Sequence, residues 1–512
     1  MYSVMTWKIL GVSLYLIILI VIGIVASRRM KDIRDYFAAG KKLGFLAVAF
    51  SARATGESAW LLLGLTGMGA FYGVHAFWVV FGEVLGVAGA WLFLSRRFKR
   101  LTDEYDSITI PDYLESRFRD TSHIIRIVSA VALLVFVTIY VSAQIDATGQ
   151  AFESFLNWNY FVGAIVGFAV VTVYITSGGF LAVAWSDVFQ GSLMLIGLVC
   201  LPIVGLIEIG GVSELGDKLH SVDPNLLSLG GKDGYSLMGI MGILSLALIG
   251  LGFLGSPQIF VRFLSMKSEG EITKGATTAI VWTLLADSGA VLIGMIGRAL
   301  YTTAKDAPEA ILGESCQNVL SVSMDLLPAF VVGIYIAIVL AAIMSTADSL
   351  LVLASSAVVR DYYQKVKNPH IPDEALVSHS RKVTLILALS ALAIAMAVAV
   401  ISPSRSVFWF VIFGWSGISA TFCPVIILSL FWSRLTLRGA LAAMITGFFS
   451  VIFFKFIAPD LPAVGDHLSK LSELPPSFAL AGLMGVVISV LDKSGLDQIR
   501  NASDDLAMAS RK

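Results

Sequence analysis

Apolar runs close to 20 residues long recur from one end of this 512-residue chain to the other. Wound as a helix, such a run spans the roughly 30 Å of hydrocarbon in a bilayer. Windows of this kind lie at 7-27, 43-70, 76-95, 123-148, 159-177, 182-207, 236-258, 275-299, 326-358, 382-402, 406-431, 438-458 and 477-492. They predict an all-α polytopic membrane protein of about 13 transmembrane helices. Several windows exceed what an upright helix needs, so they tilt, kink or break. Composition excludes the other classes. Charged residues are 14% of the chain, hydrophobic residues 57%, and the formal net charge is zero. That is too apolar for a disordered chain and lacks the basic footprint of a nucleic-acid binder. Cys200, Cys316 and Cys423 are far apart and odd in number. With no Cys/His cluster, neither a structural metal nor a disulfide framework is expected. The first apolar run is too long for a signal-peptide core and has no small-residue cleavage site, so it reads as a retained helix.

Lysine and arginine in the loops predict the orientation. Positive charge follows the first span (Arg28, Arg29, Lys31, Arg34, Lys41, Lys42) and the third (Arg96 to Arg119). It also follows the seventh (Arg262, Lys267, Lys274), the ninth (Arg360 to Arg381) and the eleventh (Arg434, Arg438). The loops between are poor in it: 71-75 and 149-158 have none, and 300-325 has only Lys305. The alternation places the N-terminus outside and the C-terminus in the cytoplasm of a cell (inner) membrane, with an odd number of spans. The longest loops run to about 25 residues, at 208-235 and 300-325, so one membrane domain, ending in a short polar tail at 493-512, is the economical reading.

Two spans break the membrane pattern. The second reads F-S-A-R-A-T-G-E-S-A-W, with Arg53, Thr55, Gly56, Glu57 and Ser58 inside an apolar stretch. The seventh reads G-L-G-F-L-G-S-P, with Gly250, Gly252, Gly255, Ser256 and Pro257. A helix in hydrocarbon breaks only where protein or a water-lined cavity replaces lipid. Paired interruptions five spans apart point to the site of a secondary transporter. Gly250 and Gly252 also have a plainer reading, as small residues that let helices approach. Arg53 and Glu57 are four apart and could pair along one helix face.

Charged side chains inside spans are functional candidates by default. Besides Arg53 and Glu57 there are Glu83, Asp146, Asp187, Asp287 and Asp348. For Glu83 and Asp287, pairing with an arginine or an interface position competes with a functional role. Ala342, Ser345, Thr346 and Ser349 fall at i, i+3, i+4 and i+7 of the ninth span, on one face. Their hydroxyl and carbonyl oxygens, without sulfur or imidazole, suit a hard cation such as Na+. Interhelical hydrogen bonding by Ser and Thr is the competing explanation. Tyr140, Gln144 and Asp146 lie late in the fourth span. Near the bundle core they would read a polar solute; near the outer face they would be a wet helix end.

At these residues the sequence resembles the sodium:solute symporter family, most closely its proline branch. The motifs run from D-Y-F-A-A-G-K-K-L-G at 35-44 to F-W-S-R-L-T-L-R-G-A-L at 431-441. Between them lie I-P-D-Y at 110-113, G-G-F-L-A-V-A-W-S-D at 178-187, L-A-A-I-M-S-T-A-D-S-L-L at 340-351 and G-W-S-G at 414-417. The resemblance implies thirteen helices with a five-plus-five inverted repeat: 43-207 as the first half and 236-431 as the second, with 7-27 before and 438-492 after. It implies a Na+ site on the backbone carbonyls of Ala54, Glu57 and Ala342 and the hydroxyls of Ser345 and Thr346. A second cation site, present in some members, would fall on Asp187, Ser345, Asp348 and Ser349. Solute positions would fall on Ser58, Ala59, Trp60, Tyr140, Phe253 and Pro257, to which their neighbours Thr55, Gly56, Gln144 and Asp146 are added. The sequence departs from the proline branch where that branch has aspartate and methionine at Gly56 and Glu57. It departs again where the branch has Trp and Tyr at Ile249 and Phe253, and a small uncharged residue at Asp146.

The expectation is therefore Na+-driven import of a small organic solute, proline or a related amino acid, by alternating access. Na+ is the coupling ion and no organic cofactor is needed. The partners are a small-molecule solute and the lipid bilayer, without nucleic acid and without a required oligomer. No phosphate-binding G-x-x-x-x-G-K motif or nucleophile-base pair is present, so the chain is not expected to be an enzyme. Two alternatives stay open: coupling to H+ through Glu57 or to a different solute, and a solute sensor without net transport.

Overall fold

The computed structural model describes residues 2–29, 33–499 and 501–510. Among these the chain is helical throughout, and its one β-bridge is a single pairing of Leu43 with Met266. An apolar chain in lipid has no water to satisfy its amides, and the helix satisfies them within each segment.

Among the described residues, eleven helices are long and apolar enough to cross a membrane. Two facts relate that number to the thirteen windows. Phe45–Glu104 is one stretch of 60 residues, which as a straight helix would be about 90 Å long. It turns at Gly73, whose φ is +60°. Tyr160–Ile209 is likewise one stretch of 50 residues, broken at Gly179 (φ 55°, ψ −159°). Gly179 falls in the short uncharged turn between the windows at 159-177 and 182-207.

The helices sort into centre and rim. In the most apolar window of Val407–Phe431, 83% of residues are buried, and in that of Ala329–Lys367, 78%. In Met5–Ser27 and Ala375–Ile401 the share is 28%. The rim helices present leucine, isoleucine and valine outward, as lipid contact requires. The central helices carry the serines, threonines and acids, so the chemistry is gathered away from lipid.

Close approach depends on small residues. A Cβ on Gly250 would lie 1.9 Å from the carbonyl oxygen of Gly82, and one on Gly82 would lie 1.8 Å from that of Ala247. The seventh span thus packs backbone to backbone against Phe77–Gly89. Gly250→Ala is expected to force the two backbones apart and to cost about 1–3 kcal/mol, as overpacking does. The readout is a lower thermal midpoint of the purified protein in detergent.

The I-P-D-Y motif starts the helix Ile110–Phe118. Thr109 Oγ1 caps it by accepting from the Asp112 amide at 3.1 Å, and Asp112 accepts in return from the Ile108 amide at 3.2 Å. This is a capping box shifted by one, the return bond landing on the residue before the N-cap. Asp112 also pairs with Arg126 at 2.7 Å, and Arg126 reaches Asp361 at 2.6 Å. The network ties the short helix to the fourth and ninth spans on the face predicted to be cytoplasmic. The tail helix Ala502–Ser510 joins that face through Asp505, which accepts from Tyr105 at 2.7 Å and Arg119 at 3.0 Å.

Candidate ion and solute site

The second span is interrupted where its polar cluster predicted. The helix Phe45–Ala59 contains Ser58 at φ 54° and ψ −165°, far from helical values. A non-glycine residue there is strained, and such strain gathers at functional sites. The break frees backbone groups, and particular side chains take them up. Gln144 Oε1 accepts from the Ala59 amide at 3.0 Å, and the Trp60 indole donates to the Gly56 carbonyl at 3.2 Å. Tyr140 donates to Ser58 Oγ at 3.4 Å. The fourth span thus meets the broken turn with two of its three polar candidates.

The seventh span is interrupted too. Its helix tightens to 3-10 over Leu248–Leu254, then restarts at Pro257. Pro257 sits in the first turn, where a missing N–H leaves nothing unsatisfied. Trp415 donates to the Ile249 carbonyl at 3.1 Å and Cys423 to that of Gly252 at 3.4 Å, so the eleventh span serves this break. The Phe253 ring packs 4.9 Å from that of Trp415. It also lies over Gly56, where a Cβ would come within 2.8 Å of its edge. A side chain at position 56 and the Phe253 ring compete for one space.

The ninth span faces the break. Ser345 Oγ donates to the Ala54 carbonyl at 2.9 Å and is 3.1 Å from that of Ala342. Thr346 Oγ1 donates to the Thr55 carbonyl at 2.9 Å and is 3.5 Å from that of Ala54. Three carbonyls and two hydroxyls thus meet from residues almost 300 positions apart. All are hard oxygens in the bundle core, a donor set that fits Na+. Glu57 lies one turn past Ala54; its side chain turns away to pair with Arg53.

Of the four residues named for a second cation site, Asp187 and Ser349 are joined through Thr55 and Arg262, while the Ser345 hydroxyl turns to the Ala54 and Ala342 carbonyls. Asp187 accepts from Ser51 at 2.6 Å, and Thr55 Oγ1 is 2.8 Å from Ser349 Oγ. Into this group reaches Arg262, which donates to Thr55 at 2.7 Å, to Asp187 at 3.2 Å, to Ser51 at 3.1 Å and to Ser349. Its guanidinium supplies a positive charge among those oxygens. The count of cytoplasmic charges placed Arg262 in a loop, and the structure corrects this. Arg262 is wholly buried, because the break at 248–256 carries the span on to Ser265. The signal was present in Q-I-F-V-R-F-L-S: one arginine between apolar pairs is not loop composition.

Asp146 lies apart from this centre. It accepts from Arg405 and from Gln150 at 2.9 Å, and from Tyr160 at 2.5 Å. Arg405 and Tyr160 also line a cavity of about 640 Å³, together with Glu153, Gln317 and Asn318. Asp146 thus belongs to the polar end of the fourth span, with its charge met by Arg405. Arg405 comes from the turn between the tenth and eleventh spans, and nothing local in the sequence pairs it with Asp146.

A helical membrane protein with two interrupted core helices, one of which meets a third helix at a cluster of hard oxygens, has the architecture of a secondary transporter. The model of the sodium:solute symporter family matches residues 36–447. The chain belongs to the sodium:solute symporter family; it is a membrane-embedded transporter and not an enzyme. It is 34% identical to the high-affinity proline transporter PutP of Bacillus subtilis, covering 95% of this chain and 98% of that one. It is 34% identical to the sodium/proline symporter of Escherichia coli, covering 96% and 94%. Among solved structures it resembles a Na+-coupled sialic acid symporter in a substrate-bound outward-open state, with a TM-score of 0.77 at 18% identity over 95% of this chain and 97% of that one. At that identity the likeness shows the fold.

Proposed function

We propose that this protein imports proline, or a closely related small amino acid, together with Na+ by alternating access. The observation that carries the reading is the meeting of Ser345 and Thr346 with the carbonyls of Ala54 and Thr55 at the Ser58 break. Na+ held there draws the second and ninth spans together. The adjoining turn of Ser58, Ala59 and Trp60, with Tyr140, Gln144, Phe253 and Pro257 around it, then forms the solute site, and Thr55 and Gly56 supply its backbone wall. Glu57 contributes its carbonyl at the ion. Ordering one site for the other is a reciprocal coupling, worth about 1–3 kcal/mol in such systems. The relatives support proline, and the Phe253 ring over Gly56 keeps the solute small.

Asp187, Asp348 and Ser349 serve as a second charge position that Arg262 fills while it points inward. Another Na+ enters there only when Arg262 withdraws. Asp146 acts with Arg405 at the polar mouth rather than on the solute. Counting the stretches that turn at Gly73 and Gly179 as two spans each gives thirteen, with 43-207 and 236-431 as inverted halves. The N-terminus then lies outside and the C-terminus in the cytoplasm. One Na+ crossing about 100 mV supplies roughly 2.3 kcal/mol, equal to about a 50-fold solute gradient.

The test is uptake of labelled proline into proteoliposomes, with and without an inward Na+ gradient, against unlabelled competitors. Sodium-dependent, saturable proline uptake is expected. Uptake indifferent to Na+ that collapses with the pH gradient would reject sodium coupling. Competition by another solute, with proline inert, would move the substrate to the residues that differ from the proline branch.

A further inference from the structure

Glu57, Glu83 and Asp287 come from the second, third and eighth spans and meet in the core. One carboxylate oxygen from each lies within 4.8 Å of the others, and all three side chains are buried. Arg53 pairs with Glu57 and, at 3.3 Å, with Glu83. Its guanidinium is held in place by the rings of Phe253, at 4.7 Å, and Trp282, at 5.7 Å. Asp287 is wholly buried, and among the described residues neither of its oxygens has a hydrogen-bond partner. It sits with both lone-pair faces free, among two other acids and one base already shared. Charge buried in a low dielectric without a partner is strongly unfavourable. The sodium-site ligands and the solute turn leave these three carboxylates unused.

We propose that Glu57, Glu83 and Asp287 form a further cation position for Na+, one helical turn from the site between the broken second span and the ninth. Carboxylate oxygens are hard ligands, and Asp287 offers two of them. A divalent ion fits less well, because Ca2+ or Mg2+ takes about six or more oxygens, and Arg53 already draws on two of the three acids. An ion here touches both interrupted spans indirectly: Glu57 lies on the second, and Arg53 stacks on Phe253 of the seventh. Its presence ties the third and eighth spans to the break. The proposal rests on the sodium-coupled reading given above.

The experiment measures binding of radioactive Na+ to the purified full-length protein, without solute. Two Na+ per chain are expected, with one lost in Asp287→Asn, one lost in Ser345→Ala and both lost in the double variant. Glu83→Gln is expected to behave as Asp287→Asn does. Retention of one Na+ in each single variant shows that the fold survives, and Glu83→Gln decides the matter where Asp287→Asn does not fold. One Na+ per chain in the unaltered protein, lost in Ser345→Ala, overturns this proposal and leaves sodium coupling standing. Two Na+ per chain, unchanged in Asp287→Asn and Glu83→Gln, overturn it equally. Displacement of one Na+ by millimolar Ca2+ or Mg2+ would assign the position to a divalent ion instead. No saturable Na+ binding at all would remove the sodium-coupled reading itself.

Discussion

Arg53→Met is expected to destabilise the protein by about 3–5 kcal/mol, the usual cost of removing one partner from a buried charge pair. Arg53 is 1% exposed and faces Glu57 and Glu83. Methionine fills the volume and keeps a contact with the Phe253 ring, yet it leaves three buried carboxylates with no guanidinium between them. The fall is read as a lower thermal midpoint in detergent and lower membrane abundance. Glu57→Gln in the same chain is expected to recover part of the loss, because removing both members of a pair costs far less than removing one, while Glu83 and Asp287 stay without the guanidinium. A double variant no better than Arg53→Met would mean that Arg53 acts by packing and not by charge.

Ser345→Ala is expected to raise the Na+ concentration for half-maximal transport by 10- to 100-fold, about 1.4–2.8 kcal/mol of ion binding. The hydroxyl lies 2.9 Å from the Ala54 carbonyl, inside the ion's ligand set. Thr346→Ala is expected to follow it, because Thr346 reaches the Thr55 carbonyl at 2.9 Å. Thr346→Ser keeps the hydroxyl and should stay within a few-fold of the unaltered protein. The measurement is initial uptake rate against Na+ concentration at fixed membrane potential. An unchanged Na+ dependence in both alanine variants would place the ion elsewhere.

Much of this protein is local information. A membrane helix is set by about 20 consecutive apolar residues, because the bilayer core leaves each segment to satisfy its own backbone. That is why the spans, the helical class and the two interruptions could be read along the chain. The break at Ser58 and the restart at Pro257 fall within the residues that broke the pattern. The face of Ala342, Ser345, Thr346 and Ser349 was equally legible, since helix periodicity alone puts them side by side.

Which groups meet across the bundle was not local. Asp146 could equally have lined the solute site, until Arg405, 259 residues away, is seen to take its charge. Arg262 counted as a loop residue, until the interruption before it carries it into the core beside Asp187 and Ser349. Arg53 and Glu57 could be paired by their spacing of four. That Glu83 joins them and that Asp287 faces them, with no hydrogen-bond partner among the described residues, depends on how the third and eighth spans pack. The physical reason is the range of the forces. Backbone hydrogen bonding and transfer to lipid act on consecutive residues and leave a periodic trace. A buried charge is settled by whatever tertiary packing brings within a few ångströms, and no period in the sequence records that distance.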